Sequence, residues 1–225
     1  MSSGSLVELA ADQLSRDGWW VADNWLSPEL SMALQEEARQ VFNSGQFKQA
    51  KIGRGQQKIL RPNIRSDQTY WLEGKTEPQQ AFMQAIDDLR LGLNRYLFLG
   101  LQRSEAHYAV YQPGAFYQRH SDNFDGSSPR MVTFTYYLNQ GWQPEDGGAL
   151  RLYTGAQIAD ANILPGQLPV EAQMDVFPEM GRLVLFMSQV FPHEVMTTNR
   201  NRWSIAGWMR TDSADPLLAA IDAAS

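Results

Sequence analysis

Hydrophobic periodicity divides the chain into a helical first part and a strand-rich second part. Ser27-Pro28 is typical of an N-cap followed by proline in the first helical turn, and apolar residues then recur at helical spacing up to Asn43. A second helix is predicted to start near Thr76 and to carry its apolar face as far as Leu101. The two apolar faces consist of Leu30, Ala33, Leu34, Ala38, Val41 and Phe42, and of Phe82, Ile86, Leu89, Leu93, Leu97 and Leu101.

From about Glu105 the pattern changes to short strands separated by Gly, Pro and Asn turns, which is typical of a β-sandwich or jelly roll. Helices collected ahead of an antiparallel sheet predict an α+β fold in which the helices cover one face of the sheet. The segment 155–180 contains three prolines and is predicted to be an irregular insertion. Strands are predicted at 107–111, 130–138, 149–153, 182–187 and 203–209.

A length of 225 residues fits one large domain. We predict a single domain over 1–225, with helical support in 1–100, a jelly-roll core in 105–210 and a C-terminal tail in 211–225. The absence of cysteine excludes disulfides, iron–sulfur clusters, thiolate zinc sites and cysteine nucleophiles. The N-terminus does not resemble a secretory signal and no apolar stretch is long enough to span a bilayer, so a cytoplasmic location without membrane association is expected.

The net charge of −6 argues against a general nucleic-acid binder, which would carry a basic surplus. One local exception is the basic arm, residues 47–66, which has six basic residues and no acidic residue before Asp67. Its basic residues are Lys48, Lys51, Arg54, Lys58, Arg61 and Arg65. Two interpretations stay open: a solvated arm, which is the usual meaning of a charge run, and a docking strip for an acidic partner surface.

With only three histidines, an imidazole-ligated metal site must be built from these residues and carboxylates. His120 and Asp122 are two residues apart, and at a strand end the side chains of residues i and i+2 project to the same face, so both can reach one ion. His193 follows another strand. Two histidines and one carboxylate form the facial triad of non-haem Fe(II) oxygenases, which leaves coordination positions open. The alternative is two surface histidines and a turn aspartate. His107 is interpreted as a hydrogen-bonded structural histidine.

Arg202 begins the last predicted strand, and strand alternation gives it a face with two small neighbours. The residues on that face are Arg202, Ser204, Ala206 and Trp208. A cavity that ends in a guanidinium suits recognition of a carboxylate. On the central strand Thr133, Thr135 and Tyr137 share a polar face, so Tyr137 could donate a hydrogen bond to the same carboxylate.

This ordered set resembles the Fe(II)- and 2-oxoglutarate-dependent dioxygenases of the prolyl 4-hydroxylase superfamily, and most of all the hypoxia-inducible-factor-type prolyl hydroxylases and their bacterial relatives. The matching motifs run in the same order across roughly 60–210. They are Ile64-Arg-Ser-Asp-Gln-Thr-Tyr-Trp-Leu-Glu-Gly74, Tyr111-Gln-Pro-Gly, Arg119-His-Ser-Asp-Asn123, Tyr136-Tyr-Leu-Asn139, Gly147-Gly-Ala-Leu-Arg151, Pro192-His-Glu-Val195 and Arg202-Trp-Ser-Ile-Ala-Gly-Trp208. Collagen-type enzymes usually carry a lysine in the role of Arg202.

The resemblance implies a double-stranded β-helix core and an enzyme that hydroxylates a prolyl residue and releases succinate and CO2. It implies Fe(II), 2-oxoglutarate and O2 as metal and cosubstrates, with ascorbate as a reductant and a role in oxygen sensing. His120, Asp122 and His193 resemble the iron ligands. Arg202 resembles the partner of the 2-oxoglutarate C5 carboxylate. The remaining cosubstrate-pocket residues are Tyr111, Thr135, Tyr137 and Trp208.

The resemblance also implies a protein substrate, and for bacterial relatives a translation factor such as elongation factor Tu. Arg130 matches a position that contacts substrate, although it could equally be a surface charge. The 48–74 segment resembles the mobile loop that folds over the target proline and would supply Arg65, Asp67 and Trp71, of which Trp71 could instead be a core aromatic. A monomeric free state is expected. The sequence departs from the family pattern at 123–130, at 155–180 and in the basic loop. By the resemblance, these segments flank the opening of the substrate site.

Three other functions remain open at this point. The same chemistry could act on a small molecule or an alkylated nucleobase, although the acidic pI and the Ile64–Gly74 match speak against nucleic acid. The jelly roll could be a non-enzymatic module that binds a protein through its basic arm. A zinc hydrolase that uses two histidines and an aspartate is disfavoured because it leaves Arg202 without a function.

Overall fold

The computed structural model describes residues 3–50, 61–122, 128–154 and 173–212, which form helices packed on two antiparallel sheets. The larger sheet has seven strands in the order β1-β9-β6-β11-β4-β3-β2, and the smaller has four in the order β5-β10-β7-β8. The helices are α1 Ser3–Asp17, α2 Pro28–Asn43 and α3 Glu77–Leu97. The strands are β1 Trp19–Ala22, β2 Lys48–Gln49, β3 Gln68–Trp71, β4 Arg103–Tyr111, β5 Tyr117–His120, β6 Arg130–Tyr137, β7 Leu150–Tyr153, β8 Gln173–Val176, β9 Leu183–Met187, β10 His193–Val195 and β11 Arg202–Arg210.

The two predicted helices are confirmed, and each begins at the capping residue that the sequence indicates. The Ser27 hydroxyl accepts a hydrogen bond from the Leu30 amide, and Thr76 caps α3 in the same way. The predicted extension of α3 to Leu101 is wrong. Phe98 adopts a left-handed conformation with φ of 54°, which ends the helix, and Leu101 is buried beyond that end.

Several elements were not predicted. Helix α1 has apolar residues at helical spacing but no proline in its first turn, and β1, β5 and β10 are too short to show an alternating pattern. The prediction of an irregular 155–180 segment is wrong for 173–176, which form β8, while 155–172 lie outside the described residues. Among the helices of the described residues, none has the length and apolar character needed to cross a bilayer.

The larger sheet separates two apolar layers, which confirms the predicted α+β jelly roll with helices on one sheet. Its first face packs Tyr108, Phe134 and Ile205 against the helices. Its second face packs Tyr137 and Phe186 against the small sheet. The alternation predicted along the central strand is therefore confirmed, and the second face lines the space between the sheets where the predicted polar residues meet.

A buried asparagine fastens the end of β6 to the start of β11, next to Arg202. The Asn139 amide nitrogen donates to the carbonyls of Pro178 (2.8 Å) and Trp203 (2.9 Å), and its oxygen accepts from the Trp203 amide (2.7 Å). Its side chain is almost inaccessible to solvent. These three bonds hold the strand end in place, because each backbone group here is too buried to exchange its partner for water.

Replacing Asn139 with alanine should therefore destabilise the protein. Removing three buried hydrogen bonds and leaving their partners unsatisfied is expected to lower the free energy of unfolding by about 3 kcal/mol. The matched control is Asn199→Ala, because Asn199 is exposed and its amide makes one bond to the Glu145 carbonyl (2.8 Å). Urea denaturation of the three proteins measures the difference. Equal losses in the two variants would contradict a fastening role for Asn139.

Candidate active site

Three side chains that sequence reasoning selected as metal ligands converge between the two sheets. His120 ends β5, His193 begins β10, and the antiparallel register places the two residues opposite each other. Asp122 lies in a turn two residues beyond β5, so a turn rather than a continued strand directs its carboxylate. One ligand atom from each residue lies within 4.8 Å of the others, which is compatible with a single bound ion.

Hydrogen bonds orient all three candidate ligands. The Nδ1 atoms of His120 and His193 lie 2.8 Å and 3.0 Å from the carbonyls of Gln118 and Phe191. Since a carbonyl can only accept, each Nδ1 carries the proton and each Nε2 presents its lone pair to the centre of the cluster. These Nε2 atoms lie 3.8 Å and 3.7 Å from the Asp122 carboxylate.

The carboxylate of Asp122 is held by two side-chain donors. Its Oδ2 accepts hydrogen bonds from the Thr133 hydroxyl (2.7 Å) and the Trp208 indole N–H (2.9 Å). Burial alone would raise the pKa of Asp122, but the neighbouring histidines and these two donors lower it to about 2. Burial and the proximity of His193 lower the pKa of His120 to about 3. The cluster therefore presents an anionic carboxylate and a neutral imidazole at neutral pH, as metal ligation requires.

The other end of the pocket is formed by a buried arginine. Arg202 is 1% exposed, and its guanidinium donates to the Gly148 carbonyl (2.7 Å) and approaches the Ser204 hydroxyl (3.4 Å). None of the carboxylates in the described residues lies within ion-pairing distance of it. A buried guanidinium without an anion is costly, so this site favours binding of an anionic ligand.

The walls between the two ends carry the other predicted pocket residues. The rings of Tyr111 and Tyr137 lie 5.1 Å and 5.0 Å from the Arg202 guanidinium carbon, and Thr135 and Trp208 line the same cavity. The Tyr137 hydroxyl is buried and has no hydrogen-bond partner in the described part of the chain. Burial raises its pKa, although Arg202 opposes this shift, so the hydroxyl remains a donor at neutral pH.

Two of the predicted substrate contacts, Arg65 and Asp67, form an ion pair at the edge of this cavity. The Nε and Nη2 atoms of Arg65 donate to the two oxygens of Asp67 at 2.6 Å and 2.9 Å. Asp67 is fully buried, and Arg65 also lies over the ring of Tyr117. Tyr117 stacks in turn on His120 with ring centroids 3.5 Å apart, so the pair is connected to a candidate metal ligand through one aromatic ring.

The other two predicted substrate contacts lie in an adjoining groove of about 610 Å³. Trp71 is half-exposed there, which argues against a core position. Arg130 lies over the Trp208 ring at 3.5 Å and donates to Glu105 at 3.0 Å. The described end of the basic arm, Lys48, also lines this groove, whereas Lys51, Arg54 and Lys58 lie outside the described residues.

Sequence reasoning was wrong about His107 and missed Tyr117. His107 is buried as expected, but neither ring nitrogen has a hydrogen-bond partner in the described structure. Strand alternation with Tyr111 predicts that His107 faces the pocket. Whether its nitrogens find partners in the described residues depends on β3 and β11, which are distant in sequence. Tyr117 lies three positions before His120, a spacing that regular strand alternation would put on opposite faces, so no sequence pattern indicated its contact with His120.

Comparison with known proteins agrees with this geometry. The sequence model of the 2OG-Fe(II) oxygenase superfamily matches residues 106–210. Egl nine homolog 1 of Mus musculus is 31% identical over 214 residues, which are 90% of this chain and 49% of that protein. A Pseudomonas putida prolyl-4-hydroxylase structure is 37% identical with a TM-score of 0.78, covering 92% of this chain and 100% of that one. A Trichoplax adhaerens prolyl hydroxylase, solved with a peptide fragment of the hypoxia-inducible-factor oxygen degradation domain, is 26% identical with a TM-score of 0.79 and coverages of 93% and 90%.

The chain belongs to the 2OG-Fe(II) oxygenase superfamily, whose members use Fe(II), 2-oxoglutarate and O2. Within that superfamily it is a homologue of the prolyl hydroxylases, which confirms the predicted family resemblance. The chain spans about half the length of the mouse relative.

The hydrogen bond from Trp208 should contribute to metal affinity. Trp208→Phe keeps a large ring and removes the N–H that orients Asp122, so Mn(II) binding is expected to weaken about tenfold, as for other residues that orient a metal ligand. Trp142→Phe is the control, since it removes an indole bond to the Gly147 carbonyl (3.0 Å) away from the cluster. Calorimetric titration with Mn(II) measures both affinities. Equal affinity in wild type and Trp208→Phe would contradict this role.

Proposed function

We propose that this chain is an Fe(II)- and 2-oxoglutarate-dependent prolyl hydroxylase that acts on a prolyl residue of a protein. The observation that carries the proposal is one cavity with a two-histidine, one-carboxylate cluster at one end and, at the other, a buried arginine that pairs with no carboxylate of the described residues. The family relation supports the same chemistry.

The residues of the cavity fit both Fe(II) and 2-oxoglutarate. His120, Asp122 and His193 would hold Fe(II), because their Nε2 and carboxylate atoms converge while three octahedral positions would remain open. When bound, iron and 2-oxoglutarate supply the oxidising chemistry that inserts oxygen into a C–H bond and releases succinate and CO2. The protein contributes geometry and buries His193 and Arg202, the groups at the two ends of the cavity.

Arg202 and Tyr137 would hold the far carboxylate of 2-oxoglutarate. The guanidinium supplies a fixed positive charge that costs little to pair with an anion, since Arg202 is already removed from water. The Tyr137 hydroxyl supplies the neutral donor that is unpaired in the described structure. Tyr111 and Thr135 line the wall between the carboxylate end and the metal end.

The adjoining groove supports a polypeptide substrate. Its volume of about 610 Å³ and its half-exposed Trp71 suit an extended chain more than a compact metabolite. Lys48, Arg65 and Arg130 give the groove several cations, although Arg65 and Arg130 are paired with Asp67 and Glu105. We assign substrate contacts to Arg65, Asp67, Trp71 and Arg130. A translation factor such as elongation factor Tu is our candidate substrate, and a cytoplasmic monomer is our proposed working form.

Arg202→Met should abolish tight cosubstrate binding and leave the metal site intact. Losing one partner of a buried charged pair is expected to weaken 2-oxoglutarate binding about 100-fold, because truncation of such pairs costs roughly 2–5 kcal/mol. Arg200→Met is the control: Arg200 is near in sequence but pairs with Asp146 at the surface (2.9 Å). Titration of Mn(II)-loaded protein with 2-oxoglutarate compares the variants. Unchanged affinity in Arg202→Met would refute the carboxylate assignment.

A peptide library tests the substrate class directly. Heptapeptides with a fixed central proline and mixed flanking residues are incubated with Fe(II), 2-oxoglutarate, ascorbate and O2, and mass spectrometry scores the addition of one oxygen. We expect hydroxylation of a subset of peptides, dependent on 2-oxoglutarate and lost in His193→Ala. A library with alanine at the centre is the control. Succinate production without any hydroxylated peptide would instead favour a small-molecule substrate.

A further inference from the structure

His107 lies at the boundary between the metal cavity and the groove. It is 3% exposed and lines both spaces, as do Arg65 and Trp208. On β4 it pairs with Trp71 of β3 on one side and with Ala206 of β11 on the other. The small Ala206 side chain leaves room for the imidazole, whose ring lies 4.9 Å from Trp71 and 5.6 Å from Trp208.

Of the three residues that line both spaces, Arg65 and Trp208 have hydrogen-bonded side chains and His107 does not, within the described residues. Arg65 is engaged by Asp67, and the indole N–H of Trp208 is engaged by Asp122. Neither His107 nitrogen has a partner in the described residues. A buried donor and a buried acceptor without partners are rare in proteins, and each destabilises the structure that contains it. A ligand that binds in the cavity and hydrogen-bonds the imidazole would supply the missing partner and so account for this cost.

The charge state of His107 limits what that partner can be. Burial, together with the nearby charges of Arg65 and Arg130, lowers its pKa to about 3, so the ring is neutral at neutral pH. A neutral imidazole offers one N–H donor and one acceptor nitrogen. It is therefore suited to a neutral polar group such as an amide rather than to a carboxylate or a phosphate.

We propose that His107 is a substrate-binding residue that donates a hydrogen bond to a backbone carbonyl of the polypeptide at the target proline. This inference rests on the proposed prolyl hydroxylation. A prolyl residue has no backbone N–H, so the backbone polar groups nearest the reacting ring are carbonyl acceptors. His107 is the boundary residue whose N–H has no partner among the described residues, and it lies where the target residue would pass from the groove into the metal cavity.

The test measures peptide affinity under conditions that permit no turnover. A peptide that the wild-type protein hydroxylates in the proline-centred library is labelled and titrated, without O2, against Mn(II)-loaded protein saturated with 2-oxoglutarate. We expect His107→Leu to weaken peptide binding about tenfold while the Mn(II) and 2-oxoglutarate affinities stay within twofold. His107→Asn or His107→Gln, which restore an N–H donor at the positions of the two ring nitrogens, should recover part of the loss.

A thioamide peptide isolates the hydrogen bond itself. Sulfur in place of the prolyl carbonyl oxygen, or of the preceding one, makes a weaker acceptor, so one of the two thioamides should weaken binding to wild type and leave binding to His107→Leu unchanged. Equal effects of the thioamides on both proteins would overturn the proposal, as would unchanged peptide affinity in His107→Leu. A parallel fall in Mn(II) affinity would also overturn it, because it would show that His107 acts by supporting Trp208 and Asp122.

Failure of the proposed function would appear differently. If wild type hydroxylates no library peptide, prolyl hydroxylation is refuted and the assignment of His107 falls with it. If wild type hydroxylates peptides and His107→Leu binds them normally, prolyl hydroxylation stands and only the assignment of His107 is refuted.

Discussion

The site depends on one strand, β11, which is hydrogen-bonded along its length between β4 and β6. Because side chains alternate along a strand, one face of β11 enters the helix-covered core and the other faces the cavity. Arg202 stands at one end of the cavity face and Trp208, the partner of Asp122, at the other. A single strand therefore sets the distance between the buried guanidinium and the candidate metal ligands.

The central position of β11 also explains two features outside the cavity. Gly207 lies on its core face, where a Cβ would come 2.3 Å from the Glu105 carbonyl and 2.4 Å from the Phe134 ring, so the helix-side layer can pack closely on this strand. Asn139 fastens the start of the strand through the Trp203 backbone. Both contacts keep β11 in register, and any shift by one residue would turn Arg202 out of the cavity.

Features that depend on neighbouring residues could be predicted from the sequence, whereas features that depend on contacts between distant strands could not. The start of α2 is local, since Ser27 and Pro28 determine it by themselves, and the shared face of Arg202 and Trp208 needs only the two-residue period of a strand. The approach of His120 to His193 needs the β5–β10 register, which no local pattern in these short strands reveals. That neither His107 nitrogen finds a partner in the described part of the chain was unpredictable for the same reason, because it depends on what β3 and β11 place beside β4.

The cavity is lined by central strands of the larger sheet, whereas most of the groove is lined by strands at its edge. The candidate metal and cosubstrate residues lie on β4, β6, β11 and the facing small sheet, with Asp122 in the turn after β5. Substitutions on β6 and β11 disturb the centre of the larger sheet. The groove is lined mostly by β2, β3 and residues next to them, at one edge of that sheet, although Arg130 of β6 and Trp208 of β11 also line it. An edge strand can change its side chains without disturbing pairing on both sides. The fold thus permits the side chains of the groove edge to vary while the candidate metal and cosubstrate residues are retained, and His107, on the strand next to that edge, lines both spaces.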